Sequence, residues 1–236
     1  MSHDQFQPTI ENSVWNKFPD YIAVSIVMRN GTNNTSSDII KQEMTTNDID
    51  KDLISQHLLS WADAFRAFGA KHKKTPSSAA ALIKRYEKTG EIPAINPFVD
   101  IYNQISVDFG IPIGGEDISK YVGLPTLKIS DGTEPFEVKK SGETITEFPK
   151  PGEVIWCDDQ GVTCRRWNWR QGPRTAIDTS TKDCWFILEA LPPYTEQFLV
   201  NAVNELVSLL KSVSPNATFS AEIITNERVR ILSFDC

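Results

Sequence analysis

The chain has 236 residues, a formal net charge of −7 and 40% hydrophobic residues, a composition typical of soluble globular proteins. Its length fits one large domain, or one domain with a small accessory lobe. The acidic balance argues against broad, sequence-independent binding to nucleic acid, which needs many lysines and arginines facing phosphates. A local basic groove remains compatible with an acidic body.

Cysteine and histidine usage gives no sign of a metal or cofactor. The four cysteines form no CxxC pair and the three histidines are scattered, so a zinc site is not expected. The amino terminus lacks the basic and then apolar pattern of a signal peptide, and no apolar run approaches the roughly 20 residues that span a bilayer. We therefore expect free thiols, no membrane association and a cytoplasmic location.

The first half of the chain predicts one strand and three helices. The β-branched run 21–28 is typical of a buried strand, and the polar segment 32–50 is expected to be a surface loop. Apolar residues recur at helical spacing over 52–68. Pro76 precedes a second helix with Gly90 beyond its end, and a third helix runs over 98–110.

From about residue 124 the period changes to two, which predicts antiparallel strands. Between this block and the third helix, Gly114 and Gly115 are expected in a loop that precedes a short helix. The predicted strands of this block are 124–130, 135–140, 152–158, 161–170 and 184–191. A helix over 195–212 and a closing hairpin of 218–224 and 228–233 are predicted to follow.

The order of elements predicts an α+β fold rather than a doubly wound sheet. We divide the chain into an N-terminal strand and helical portion, residues 1–74, which packs on a core formed by residues 75–236.

Residues 164–175, CRRWNWRQGPRT, concentrate cations and indoles in an otherwise acidic chain. As an extended strand, alternation would put Cys164, Arg166, Asn168 and Arg170 on one face and Arg165, Trp167 and Trp169 on the other. With Arg174, the guanidiniums would suit a phosphate or carboxylate, and the indoles could stack a base. Alternatively, the indoles are core residues and the arginines pair with Asp158, Asp159 or Asp178.

Two further features carry open alternatives. The backbone amides of Gly114 and Gly115 could bind an anion, or the pair could form a bare turn. Glu189 ends an apolar strand, where a desolvated carboxylate could act as a general base for water, or it could lie at the rim before the following proline turn.

The stretch 96–123, NPFVDIYNQISVDFGIPIGGEDISKYVG, resembles the Val-Val-Asp-Val-Thr-Asn helix and the following loop of the phenylalanyl-tRNA synthetase beta subunit. The resemblance continues through PGEVIWCDD, residues 151–159, to FILEAL, residues 186–191. It covers roughly 75–200, and the whole chain is similar to free-standing B3/B4-domain proteins of bacteria. The implied fold is a B3/B4-like antiparallel core flanked by helices, with an added N-terminal strand and helices.

The resemblance also implies a site. The synthetase domain hydrolyses mischarged tyrosyl-tRNA. Asn103 matches its pocket asparagine, Glu189 matches the glutamate that recognises the tyrosine hydroxyl, and the pocket histidine falls on Gly114. The implied catalytic residues are Asn103 and Glu189. The implied substrate-binding residues are Gly114, Gly115, Arg165, Arg166, Asn168, Arg170 and Arg174.

Two functions follow as expectations. In one, the chain binds tRNA or aminoacyl-tRNA and is a free-standing deacylase that uses water and forms no covalent enzyme intermediate. In the other, it is a non-catalytic module that kept the pocket and binds a free amino acid or a small anionic ligand.

Overall fold

Two five-stranded sheets face each other, and helices cover the outer side of one of them. The computed structural model describes residues 6–33 and 49–233, so most of the predicted loop 32–50 lies outside the described residues. The α+β class predicted from the sequence is confirmed.

The helices are α1 (Asn12–Lys17), α2 (Lys51–Ala67), α3 (Ser78–Thr89), α4 (Pro97–Phe109) and α5 (Glu196–Val213). The strands are β1 (Thr9–Ile10), β2 (Ile22–Arg29), β3 (Ile113–Asp117), β4 (Thr126–Ile129), β5 (Phe136–Lys140), β6 (Glu143–Glu147), β7 (Val154–Cys157), β8 (Val162–Arg165), β9 (Arg170–Gln171), β10 (Cys184–Ala190), β11 (Thr218–Ile224) and β12 (Val229–Leu232). A short 3-10 helix, Ile118–Lys120, follows β3.

Local signals fix the ends of the predicted helices. The side chains of Ser77 and Asn96 cap α3 and α4, and Pro97 occupies the first turn of α4. Gly90 and Gly110 end these helices in the left-handed conformation, with φ of 72° and 63°. That conformation is cheap for glycine and strained for other residues, so both helices end where the sequence predicts.

The first sheet has the order β12-β11-β2-β10-β3 and is antiparallel throughout. All seven residues of β10 are buried, because this strand lies between β2 and β3 with a layer on each face. Phe186 and Leu188 point to the layer formed by α4 and α5. Trp185 and Ile187 point to the second sheet.

The second sheet has the order β1-β4-β7-β8-β9, with β1 parallel to β4 and the other neighbours antiparallel. Its inner face supplies Leu127, Val154 and Trp156 to the core that it shares with the first sheet, α1 and α2. The hairpin β5–β6 packs on β8 through a smaller apolar cluster.

Two local predictions were wrong. Gly114 and Gly115 lie in β3, paired with Ile187 and Phe186 of β10, and not in a loop. The predicted strand 161–170 is broken into β8 and β9 by a turn at residues 166–169. The sequence also does not predict β1, β6 or α1.

Residues from the proposed N-terminal portion are interleaved with the rest of the fold. β2 hydrogen-bonds to both β10 and β11 along its length. The boundary near residue 74 stays a prediction, and the sheet pairing requires both portions for the first sheet to form.

His57 of α2 joins three parts of the chain in the core. Its Nε2 accepts hydrogen bonds from the Trp61 indole (3.1 Å) and from the amide of Leu191 (3.2 Å), so the proton resides on Nδ1, which donates to the carbonyl of Gly110 at 2.9 Å. Burial lowers the pKa of His57 from 6.5 to about 4, and the bond to Gly110 opposes that shift only in part. The folded protein therefore holds this ring neutral.

Substituting Gly115 and Gly114 separately should distinguish close packing from cavity lining. A Cβ at Gly115 would lie 2.6 Å from the Tyr102 ring and 3.0 Å from Phe186, so we expect Gly115→Ala to cost about 1–3 kcal/mol. A Cβ at Gly114 would meet only Ile187, at 3.3 Å, so Gly114→Ala should cost less. Urea denaturation measures both; equal losses would contradict this packing.

The free energy of unfolding should depend on pH through His57. Above pH 6.5, the pKa of the histidine in the unfolded chain, the neutral ring of His57 contributes fully to the free energy of unfolding. As the pH falls toward about 4, its pKa in the folded protein, this stabilisation is lost because the unfolded chain binds a proton that the folded chain excludes. Between about pH 8 and pH 5 the loss should be about 2 kcal/mol. Urea denaturation of the wild type and His57→Gln tests this; the same pH dependence in both proteins would contradict it.

Candidate functional site

A cavity of about 130 Å³ lies between the two sheets, beside the start of α3 and the middle of α4. Its walls come from β3, β7, β8, β9, β10 and the turn between β8 and β9, with one residue from α3 and two from α4. Five of its lining side chains are aromatic: Tyr102, Trp156, Trp167, Trp169 and Trp185. Its lining includes two ionisable carboxylates, Glu116 and Glu189.

Glu189 is fixed by four neutral donors. Its Oε1 accepts hydrogen bonds from the hydroxyl of Tyr21 (2.7 Å) and from the indoles of Trp156 (3.1 Å) and Trp167 (2.8 Å). Its Oε2 accepts from Nδ2 of Asn168 at 3.1 Å. Only 1% of Glu189 is exposed, and this burial raises its pKa, while the four donors oppose the shift. The four hydrogen bonds hold the carboxylate in place. Oε1 accepts three of them and Oε2 accepts one.

Asn168, a residue of the cavity wall, carries a buried acceptor. Since Nδ2 donates to Glu189, the amide orientation is set, and Oδ1 has no hydrogen-bond partner among the described residues although Asn168 is 6% exposed. The Ser78 hydroxyl, also in the cavity wall, is likewise buried without a partner in the described chain. Buried polar atoms are nearly always paired, so these two atoms, both in residues of the cavity wall, are exceptions among the described residues.

Asn103 and Gly114 both line the cavity, as the resemblance implies. Asn103 comes from α4, is 9% exposed, and makes no side-chain hydrogen bond to any described residue. Gly114 opposes Ile187 in the sheet, and its missing side chain leaves space in the wall. Gly115 points instead to the α4 side of the sheet, where its lack of a Cβ admits the Tyr102 ring.

Glu116 is the second buried carboxylate of the cavity, at 4% exposure. Its Oε1 accepts from the hydroxyl of Thr175 (2.7 Å) and the amide of Gln171 (3.2 Å), and its Oε2 accepts from the hydroxyl of Tyr121. Burial raises its pKa, and these neutral donors oppose the shift. Sequence reasoning missed Glu116, which lies two residues after Gly114 and therefore on the same face of β3.

The turn after β8 delivers Trp167 and Asn168 to Glu189. Arg166 and Trp167 adopt left-handed φ values of 48° and 65°, which are strained for residues with side chains. Trp167 is fully buried against the rings of Phe18 (4.8 Å) and Tyr21 (4.9 Å), which compensates for that strain. The prediction that side chains 164–170 alternate between two faces of one extended strand was therefore wrong.

Comparison with known proteins identifies the family. The family described as the B3/4 domain matches residues 60–214, more than half of the chain. The chain belongs to the B3/4 domain family. The predicted resemblance is confirmed at this level. No curated protein sequence matches the chain.

The B3/4 domain structure is similar to an N-terminal fragment of the phenylalanyl-tRNA synthetase beta-subunit from Pyrococcus horikoshii. The TM-score is 0.52 at 12% sequence identity, and the similarity covers 97% of this chain and 54% of the fragment. At 12% sequence identity, this similarity shows a shared fold and nothing about activity. The chain spans about half the length of that fragment.

Two of the four arginines of 164–175 are paired with carboxylates within the B3/4 domain. Arg165 is buried and donates through Nε and Nη2 to Glu153, at 2.9 and 3.0 Å. Arg174 makes a two-pronged pair with Asp158, at 2.7 and 2.8 Å. Such bidentate pairs fix the surrounding loops.

The other two arginines of the segment lie nearer the solvent. Arg166 stacks over the ring of Trp169 at 4.2 Å and lies 3.5 Å from a carboxylate oxygen of Glu153. Arg170 is exposed and makes no ion pair with a described residue. None of the four arginines lines the cavity, so their assignment to substrate binding stays a prediction.

The cavity contains no activated side-chain nucleophile. Burial raises the pKa of the Cys164 thiol well above its usual range, which keeps it protonated. The ring of His57 is committed to its three core partners. In the described part of the chain, no group of acidic, histidine and cysteine side chains is arranged to hold a metal ion, and no helix is long and apolar enough to cross a membrane.

The buried arginine pair should be structural. Arg165→Met removes two hydrogen bonds to the buried carboxylate of Glu153 and leaves it with Arg166 at 3.5 Å, so we expect a loss of about 3 kcal/mol. Arg170→Met removes the same charge from an exposed position and should change stability by no more than about 0.5 kcal/mol. Urea denaturation of both variants measures the contrast, and similar stabilities would contradict it.

Proposed function

We propose that this B3/4 domain binds the aminoacyl end of tRNA and hydrolyses its ester with water, as a free-standing deacylase in the cytoplasm. The observation that carries the proposal is the convergence of Asn103, Asn168 and Glu189 on one cavity, with a free amide on Asn103 and an unpartnered buried acceptor on Asn168.

The size of the cavity supports an aminoacyl group as its occupant. Its volume of about 130 Å³ is close to that of an engineered apolar cavity of about 150 Å³ that binds benzene. This is enough for an amino-acid side chain and too little for a nucleotide. The terminal adenosine would therefore remain outside, with the ester at the mouth.

The side chains suggest separate roles. Glu189 is rigid and accepts four hydrogen bonds, so it is suited to recognise a donor on the ligand rather than to move protons. Asn103 has no competing hydrogen bond in the described chain, so its amide can orient the ester or the attacking water. With the Cys164 thiol protonated, water is the nucleophile this cavity favours.

A second function is favoured by the arginine pairing. Because Arg165 and Arg174 are committed to Glu153 and Asp158, the segment 164–175 offers little free positive charge for an RNA backbone. This observation favours a module that binds a free amino acid or another small molecule without catalysis. Such a protein would be stabilised thermally by its ligand and would not bind tRNA.

A panel of mischarged aminoacyl-tRNAs tests the proposed reaction. We expect the full-length chain to accelerate deacylation of at least one of them, and Asn103→Ala and Asn168→Ala to reduce that rate by at least about tenfold, equivalent to about 1.4 kcal/mol. The control is Asn201→Ala, on the exposed face of α5, which should keep the wild-type rate.

Two outcomes separate the alternatives. Deacylation no faster than the uncatalysed reaction for every aminoacyl-tRNA would overturn the enzymatic proposal. If free amino acids then raise the melting temperature and tRNA does not bind, the non-catalytic module is the correct function.

A further inference from the structure

We propose that a basic patch beside the cavity binds the phosphates of a single-stranded RNA end whose last group occupies the cavity. The patch consists of six exposed cations on α3 and in the turn before it: Lys71, Lys73, Lys74, Lys84, Arg85 and Lys88. The inference rests on the proposed function in taking the 3′ end of tRNA as the ligand. It adds the surface that holds the strand outside the cavity.

The first step is the local charge, which differs from that of the whole chain. Residues 69–90 contain six lysines and arginines and a single acid, Glu87, in a chain whose formal net charge is −7. A local concentration of positive charge attracts a polyanion even on an acidic protein. The patch therefore supplies the free positive charge that the paired Arg165 and Arg174 do not offer.

The second step is that these six cations are available to a partner. None of them forms an ion pair with a residue in 6–33 or 49–233. Elsewhere on the surface, Arg66 pairs with Asp63, and Arg228 and Arg230 share Glu196. A phosphate would therefore gain the attraction of the patch without displacing an existing carboxylate partner.

The third step is a stripe of charge along α3 that starts at the cavity. Ser78, the first residue of α3, lines the cavity, and Ala81, one turn further on, is already exposed. Arg85 lies two turns after Ser78 on the same side of the helix, and Lys84 and Lys88 are its neighbours on the exposed face. The three charges lie roughly 9–15 Å along the helix axis from Ser78. A strand whose end occupies the cavity can therefore pass along them.

The fourth step places the turn lysines beside the cavity as well. Phe68, just after α2, packs on Trp167 with ring centroids 6.4 Å apart, and the amide of Ser78 donates to the carbonyl of Asn168 at 3.0 Å. Trp167 and Asn168 are neighbours in the turn that lines the cavity. The segment between these two contacts, residues 69–77, carries the other three cations of the patch.

The fifth step favours a nucleic acid over an acidic peptide. Trp169 lines the cavity and is only partly buried, so its indole can stack a base. The guanidinium of Arg166 lies over this ring at 4.2 Å and adds a cation next to it. Cations along the backbone and an aromatic ring for a base are the two elements of sites for single-stranded nucleic acid.

Fluorescence anisotropy of a 5′-labelled single-stranded RNA tests the proposal, with a strand of about 12 nucleotides, within the usual range of such sites. The full chain carrying Lys84→Gln, Arg85→Gln and Lys88→Gln should bind it at least about tenfold more weakly at about 0.1 M salt. The slope of log affinity against log salt concentration should fall in magnitude by about 2, since each phosphate contact contributes about 0.7. Replacing Lys71, Lys73 and Lys74 by Gln should also weaken binding at least about tenfold. Glutamine favours helix and the positions are exposed, so both variants should fold normally.

The control removes three positive charges from scattered exposed positions, with Lys17→Gln, Lys51→Gln and Lys182→Gln, and should keep the wild-type affinity. An equal loss in the control would mean that only net charge matters and would overturn the proposal. Wild-type affinity in either patch variant, folded normally by circular dichroism, would also overturn it. So would polyglutamate of equal charge that binds the patch as tightly as the RNA.

Deacylation kinetics separate this inference from the proposed function. With an aminoacyl-tRNA that the protein deacylates, the variant of Lys84, Arg85 and Lys88 should raise KM and leave kcat unchanged, because the patch binds substrate and transition state equally. Deacylation with an unchanged KM would overturn this inference and leave the proposed function standing. Patch-dependent RNA binding without deacylation of any aminoacyl-tRNA would do the reverse.

Discussion

The buried carboxylate of Glu189 is the constraint on which the rest of the molecule depends. A single side chain on β10 accepts hydrogen bonds from Tyr21 before β2, from Trp156 on β7, and from Trp167 and Asn168 in the turn after β8. These contacts join the two facing sheets across their shared core. A buried carboxylate must be satisfied by donors or be neutralised, so the sheets and the turn have to meet at this point.

The need to satisfy the Glu189 carboxylate with donors also shapes the cavity. The left-handed turn brings Trp167 and Asn168 to Glu189, and Oδ1 of Asn168 has no partner in the described part of the chain. Gly114 leaves space where a larger residue would fill the wall. Glu116 belongs to the cavity wall because it lies two residues after Gly114 on the same face of β3. The groups that hold the two sheets together are therefore also groups that line the cavity.

Local sequence signals were sufficient for α2, α3, α4 and α5, and Gly90 and Gly110 end α3 and α4 where predicted. The family resemblance predicted that Asn103 and Glu189 lie in one pocket, and both residues line the cavity. The turn at 166–167 could not be predicted, because its left-handed residues are an arginine and a tryptophan held by distant aromatic contacts. The alternative that the arginines pair with nearby aspartates holds for Arg174 and Asp158, whereas Arg165 pairs with a glutamate, Glu153, that the sequence analysis did not name.

The ionisation state of Glu189 tests the central claim most directly. Because all of its partners in the described chain are donors, we predict a carboxylate at neutral pH despite a pKa raised by burial. Infrared difference spectra between the wild type and Glu189→Gln, with glutamate isotopically labelled, report that state. A carboxylate stretching band lost in the variant is the predicted result. A protonated carbonyl band in its place would contradict the account.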